Sequence, residues 1–213
     1  MLAVQELQFG YRSTTTPVIA GLSHRFEPGS LTALTGPSGC GKSTLLYILA
    51  LMLRPSSGSV LHDGRAISSR RDRDRSRWRA ETVGFVFQDA ALDPTRSVLD
   101  NVREGGLYAG IAEPELTRRA RSLLERFGVD HRVAHRPGEI SGGQAQRVAM
   151  SRALIKEPKI VLADEPTGNL DLEATEVVWG ALASAAENGA TVVVATHDPA
   201  LAASADHRLL FGT

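Results

Sequence analysis

The sequence predicts an α/β fold: a parallel-sheet core carrying a phosphate-binding loop, an antiparallel β element beside it and an inserted α-helical subdomain. Three observations predict it. Residues 36–44 read Gly36-Pro37-Ser38-Gly39-Cys40-Gly41-Lys42-Ser43-Thr44 and join a strand-like run at 31–34 to nine consecutive apolar residues at 45–53, so that strand, glycine loop and helix follow in order. Apolar runs at 160–163 and 191–196 each end in polar residues, Asp164-Glu165 and His197-Asp198. Between them and the loop, residues 89–157 turn mainly helical. The expected organisation is a single domain over 1–213, with core and β element in 1–88 and 158–213 and the helical subdomain in 89–157.

In chain order, 2–9 alternates as a strand, a polar Arg-Ser-Thr-Thr-Thr-Pro stretch makes a hairpin connection, and 22–26 is a second short strand ending at Pro28-Gly29. Tyr11 stands at the first turn, where an aromatic either stacks on a purine or is simply an exposed turn residue. In the glycine loop, little side chain obstructs the backbone, so successive N–H groups can turn inward around phosphate oxygens while the helix N-terminus adds partial positive charge. Lys42 reaches the outer phosphates and the Ser43 hydroxyl ligates Mg²⁺. Cys40, the single cysteine, cannot form an internal disulfide; a small residue tolerated in a tight loop explains it better than a redox role.

After the apolar helix, Pro55 and Gly58 break the pattern and 59–62 forms a strand entering a tight turn at Asp63-Gly64. Residues 65–79 hold seven arginines, two aspartates and Trp78. That cluster raises nucleic acid as a partner, against the plainer reading of a solvated helical face, which the overall charge favours. A strand at 82–87 ends at Gln88. The clearest helix starts with Pro114 at its first position and runs to about Phe127 before Gly128, with Leu116, Ala120, Leu123, Leu124 and Phe127 on one face. Ser141 and Gln144 have capping-box spacing for a helix to about Leu154, and Gly142 and Gly143 cost that helix stability while permitting close approach of another group.

Asp164 and Glu165 at a strand's C-terminal end lie where ligands of parallel sheets bind. Asp164 can hold Mg²⁺ through water, and Glu165 can orient or deprotonate an attacking water. A helix from the Gly168–Asp171 turn to about Glu187 leads to the 191–196 strand. His197 should open on the same crevice and can donate a hydrogen bond to a terminal phosphate, with Asp198 as cap and Pro199 at the first helical position. A last short strand spans 206–211.

Lys plus Arg and Asp plus Glu number 24 each in 213 residues, for a formal charge of zero, which gives no support to a general nucleic-acid binder. No apolar run approaches the roughly 18 residues of a membrane span, and the N-terminus lacks the basic-then-apolar order of a signal peptide. A cytosolic protein is expected.

With these pieces in order the chain resembles the nucleotide-binding subunit of an ATP-binding-cassette (ABC) transporter over nearly its whole length. The resemblance implies a P-loop NTPase (RecA-like) core. It makes Tyr11 the adenine-stacking aromatic, residues 36–44 the phosphate loop, Gln88 the glutamine between core and helical subdomain and a metal ligand, and Ser141-Gly142-Gly143-Gln144 the signature. Asp164 and Glu165 become metal and catalytic acids, Asn169, Leu170 and Asp171 the dimer-contacting loop, and His197 the switch histidine. Two copies would sandwich two ATP molecules, each held by one copy's phosphate loop and closed by the other's Ser141, Gly142 and Gly143. A separate membrane permease would dock near residues 88–102, placing the subunit at the inner face of the cell membrane; no nucleic acid is expected as a partner. His135-Arg136-Pro137 and residues 162–171 resemble the branch serving lipoprotein release and macrolide or peptide export. Residues 88–101 keep that branch's Leu92, Pro94, Val98 and Asn101, while Ile140, Asp89-Ala90-Ala91 and Arg96 depart from it.

Overall fold

The computed structural model describes residues 1–11, 16–168 and 170–211. Strand β1 (Leu2–Phe9) pairs antiparallel with β2 (Ile19–Phe26) and, on its other side, with β4 (Ser57–His62). The alternation expected for β1 slips midway: Leu2 and Val4 point inward, then Leu7 and Phe9, because Glu6, at φ 46°, sits in a bulge. An extra residue in one strand resets which positions face the core. Gly58 accommodates it, since a Cβ there would lie 2.2 Å from the Glu6 carbonyl oxygen. At the Asp63-Gly64 turn both residues have positive φ, 50° and 73°, and the chain returns as the two-residue β5 (Arg65–Ala66), giving the order β2-β1-β4-β5.

The second sheet is parallel, in the order β6-β7-β8-β3-β9. Its strands are β3 (Ser30–Thr35), β6 (Val83–Val86), β7 (Ile160–Asp164), β8 (Thr191–Ala195) and β9 (His207–Leu210). Every residue of β7 and β8 is buried, as expected of strands covered on both faces. Leu162, Val193 and Ala195 face α1 (Lys42–Leu49) and the antiparallel sheet; Val161, Ala163, Val192 and Val194 face the second core. That second core takes side chains from α3 (Val98–Leu107), α4 (Glu113–Arg126), α5 (Gly142–Leu154) and α6 (Leu172–Glu187). Between β6 and α3, the fully buried Asn101 accepts from the Asp93 amide (2.7 Å) and donates to the carbonyls of Asp93 and Ser97 (both 3.0 Å), tying that connection into a compact turn.

α4 follows its sequence pattern, burying Leu116, Ala120 and Leu124 and ending at Phe127 and Gly128, the latter at φ 63°. By contrast, α1 ends at Leu49, short of the apolar run that extends to residue 53. Leu51 adopts φ 56°, its amide bonds to the Ile48 carbonyl and that of Met52 to Tyr47, the paired bonds of a left-handed helix stop. Just past the helix end, the buried Leu51 carbonyl finds two cationic partners on α2 (Asp72–Thr82): Arg75 donates to it, and so does Arg79 at 3.1 Å. Arg75 is only 4 % exposed and Trp78 8 %. The arginine-rich stretch keeps the solvated face expected of it, with Arg65, Arg71, Arg73 and Arg77 exposed, while Arg75 and Trp78 on its other side pack onto the end of the phosphate-loop helix, where cations are favoured.

One basic group here carries a pH dependence. Lys156 donates to the Ala80 carbonyl (2.6 Å), and burial pulls its pKa down to about 8. Since the unfolded chain binds more protons between pH 8 and the ordinary lysine range, stability should rise with pH across that window. Thermal melts of Lys156→Met should lack that rise, and equal slopes in both proteins would contradict the assignment.

Candidate functional site

β3 ends at Thr35 and the chain turns into the glycine loop at the C-terminal edge of the parallel sheet. Gly36 sits at φ 142°, and a Cβ on it would stand 2.4 Å from the Phe211 carbonyl oxygen; no other residue fits. Gly41, at φ 108°, caps α1 directly below Val18, whose Cγ1 would be 2.8 Å from an added Cβ. Gly39 has no neighbour within 4 Å of that position and borders a cleft of about 680 Å³. The amides opening α1 have no intrahelical acceptors, an arrangement suited to anions.

The cleft collects side chains from distant parts of the sequence: Tyr11, Ser38, Lys42, Ser43, Thr44, Gln88, Asp164, Glu165 and His197 line it with Gly36, Gly39, Gly41, Val18 and Gly168. Lys42, 8 % exposed, donates from Nζ to the carbonyls of Gly36 (2.8 Å) and Pro37 (3.0 Å). Ser43 Oγ donates to Asp164 Oδ1 at 3.0 Å. Burial pushes the Asp164 carboxyl above its ordinary pKa; the Ser43 hydroxyl and the Lys42 ammonium pull the other way, with Glu165 adding to the rise. Glu165 follows β7 with φ 45° and its amide bonded to the Ala195 carbonyl (3.0 Å), so its side chain turns toward His197 after β8. His197 Nδ1 donates to Glu165 Oε2 at 2.8 Å, and the His197 amide reaches the same oxygen at 3.3 Å. Tyr11 stands at the rim, edge-on to Phe9 with ring centroids 5.0 Å apart and its hydroxyl 3.2 Å from Thr44 Oγ1.

Other residues named from sequence lie elsewhere. Pro37 and Cys40 belong to the loop but do not line the cleft, and neither do Ser141, Gly142, Gly143 and Gln144. The last four open α5, where Ser141 Oγ accepts from the Gln144 amide (3.2 Å) and Gln144 Oε1 from the Ser141 amide (3.0 Å). Ser141 and Gly142 are exposed. Asn169 lies outside the described residues, Leu170 is half-buried, and Asp171 caps α6 through the Ala174 amide at 2.8 Å. Val18 and Gly168, the latter read from sequence only as part of a turn, were not named as site residues; neither carries a chemical signature, and only the folded chain brings them to the cleft.

A nucleotide and a hard cation fit this donor set. The glycine loop offers amides and the space a Cβ would fill, and Ser43 Oγ beside Asp164 offers adjoining oxygens of the kind Mg²⁺ takes. Among the described residues no group of three or more His, Cys, Asp or Glu could hold a metal alone; Mg²⁺ bound with substrate phosphates needs only one or two protein carboxylates.

Comparison with known proteins agrees with the geometry. The family described as "ABC transporter" matches residues 19–168. The chain is 45 % identical over 193 residues to a lipoprotein-releasing system ATP-binding protein, LolD, of Hyphomonas neptunium, covering 90 % of this chain and 85 % of that one. It is also 45 % identical over 182 residues to a macrolide export ATP-binding/permease protein, MacB, of Paracoccus denitrificans, covering 85 % of this chain and 27 % of that longer one. The dimeric, post-hydrolysis structure of the ATP-binding cassette MJ0796 with ADP and Pi superposes with a TM-score of 0.93 at 30 % identity, covering 99 % of this chain and 94 % of that one.

Proposed function

Because the chain belongs to the ABC transporter family, we propose that it binds and hydrolyses ATP to drive a separate membrane permease that exports or extracts a lipoprotein, peptide or drug-like substrate. The observation that carries this reading is the meeting of Lys42, Ser43, Asp164 and the Glu165–His197 pair in one cleft, with Ser141 and Gly142 of the signature exposed outside it.

The loop amides and Lys42 bind the phosphates of ATP, and Tyr11 stacks on the adenine. Ser43, Asp164 and Gln88 would hold Mg²⁺, which would supply positive charge at the phosphates. Glu165 accepts the proton of the attacking water, and His197 keeps its carboxylate oriented through the Nδ1 bond. With Nδ1 turned to Glu165, a hydrogen bond from His197 to the γ-phosphate would come from Nε2. Ser141, Gly142 and Gly143 of a second copy close the open side, with residues 169–171 at the same contact. Catalysis is mainly positioning and charge stabilisation, so the site is complete only in the dimer.

Residues 88–102 would receive the permease, and the subunit would lie peripherally on the inner face of the cell membrane. No helix among the described residues is long and apolar enough to cross a membrane, so the substrate path belongs to that partner. Against a nucleic-acid partner stand the formal charge of zero and the engagement of Arg75 and Arg79 at the end of α1. Co-expression with a candidate permease should yield a stable complex whose ATP turnover exceeds that of the isolated subunit. A salt-sensitive shift of nucleic acid, with no permease retained, would overturn the proposal.

A further inference from the structure

The segment after Gln88 is strained. Ala90 and Ala91 have φ of 61° and 45°, and non-glycine residues persist in the left-handed region only where their surroundings over-determine them. Here the surroundings are two side chains of α5. Arg152 donates from Nη2 to the Ala90 carbonyl and from Nη1 to the Ala91 carbonyl, both at 2.7 Å. Gln146, earlier on the same helix and 5 % exposed, donates to the Phe87 carbonyl at 3.1 Å. One helix thus grips the backbone on both sides of Gln88, and it is the helix that Ser141 caps. The same turn of α5 is pressed against α3: a Cβ on Gly105 would stand 2.1 Å from the Arg152 carbonyl oxygen. Arg152 lies where the Gln88 segment, the signature helix and α3 meet.

We propose that Arg152 is a positioning residue for Gln88, clamping the Ala90–Ala91 turn so that Gln88 faces the nucleotide cleft and moves with the signature helix. The inference rests on the ATPase reading above. Without the clamp, the two alanines relax out of the left-handed region and the Gln88 amide loses its fixed place. Because the grip is a two-carbonyl fork, a planar guanidinium suits it and a single ammonium does not.

Two measurements on the full chain test the proposal. Hydrogen exchange of the nucleotide-free protein should show the amides of residues 88–91 opening on the order of tenfold faster in Arg152→Gln. Titration of ATP turnover with Mg²⁺ should show a half-saturating concentration raised on the order of tenfold, with ATP affinity in EDTA unchanged. Adding Ala91→Gly, which removes the left-handed penalty, should recover most of the Mg²⁺ response. Adding Glu6→Gly, which relieves a positive φ in the remote bulge, should recover none, separating positioning from general stabilisation. Arg152→Lys should show the same changes at smaller amplitude and stands in where Arg152→Gln is too unstable. Unchanged exchange and Mg²⁺ response in a folded Arg152 variant, or equal rescue by both glycines, overturns the clamp alone. A Gln88→Ala variant without effect on the Mg²⁺ response overturns the clamp together with the metal role of Gln88, whereas a wild-type chain that does not bind ATP overturns the underlying reading.

Discussion

Glu165→Gln should lower ATP turnover by roughly 10²–10⁴-fold, the contribution of a positioned general base, while leaving ATP affinity close to wild type. The amide is nearly isosteric, and its oxygen can still accept from His197 Nδ1, the contact the carboxylate makes at 2.8 Å. What it loses is the ability to take a proton from water. On the proposed mechanism binding draws on the loop and Lys42, so ATP should still drive two copies together, and without hydrolysis the pair should have no route to reopen. Size-exclusion chromatography with ATP should therefore show a persistent dimer for the variant and a transient one for wild type. Hydrolysis at the wild-type rate would remove Glu165 from the catalytic role.

The second large effect is expected at Lys42. Its ammonium is nearly buried and already points at the mouth of the loop, bonded to the Gly36 and Pro37 carbonyls, so its charge reaches phosphate with little solvent screening. Charge-assisted hydrogen bonds of this kind are worth about 1.5–3 kcal/mol each, and Lys42→Ala should weaken ATP binding by roughly 10–10²-fold by calorimetry. The loss also removes the Lys42 donor from the Gly36 carbonyl and leaves the Pro37 carbonyl with the Cys40 amide at 3.4 Å, so Tm should fall with affinity. Unchanged nucleotide binding would sink the phosphate-loop assignment. The two variants separate binding from chemistry: Lys42→Ala fails before the dimer forms, Glu165→Gln after it.

Much of this arrangement was legible in the sequence where it depended on neighbours along the chain. The apolar runs of β7 and β8, the Ser141–Gln144 box, the Asp198 cap and the face of α4 are local patterns, and the structure realises each. The bulge at Glu6 was hidden because it depends on Gly58 of a partner strand. The early end of α1 was hidden because nine apolar residues read as continuous helix, whereas Leu51 turns left-handed while remaining 1 % exposed. Arg75 looked like solvated charge because its acceptor, the Leu51 carbonyl, lies on another element. In the cleft, the individual chemistry of Glu165 and His197 could be read, but their mutual hydrogen bond could not. It requires β7 and β8 to be adjacent, with Asp164 opposite Ala195.

The support of Gly36 by Phe211 sets an order of events during synthesis. β3, the stalk of the loop, pairs on one side with β8 and on the other with β9, so its flanking strands emerge from the ribosome long after the loop itself. Contacts this distant in sequence form late. A nascent chain can assemble its antiparallel hairpins early, yet it cannot shape a phosphate cradle until residues 191–211 have left the exit tunnel. ATP should therefore engage the loop only once residues 191–211 are paired with β3, and should not template the first half of folding.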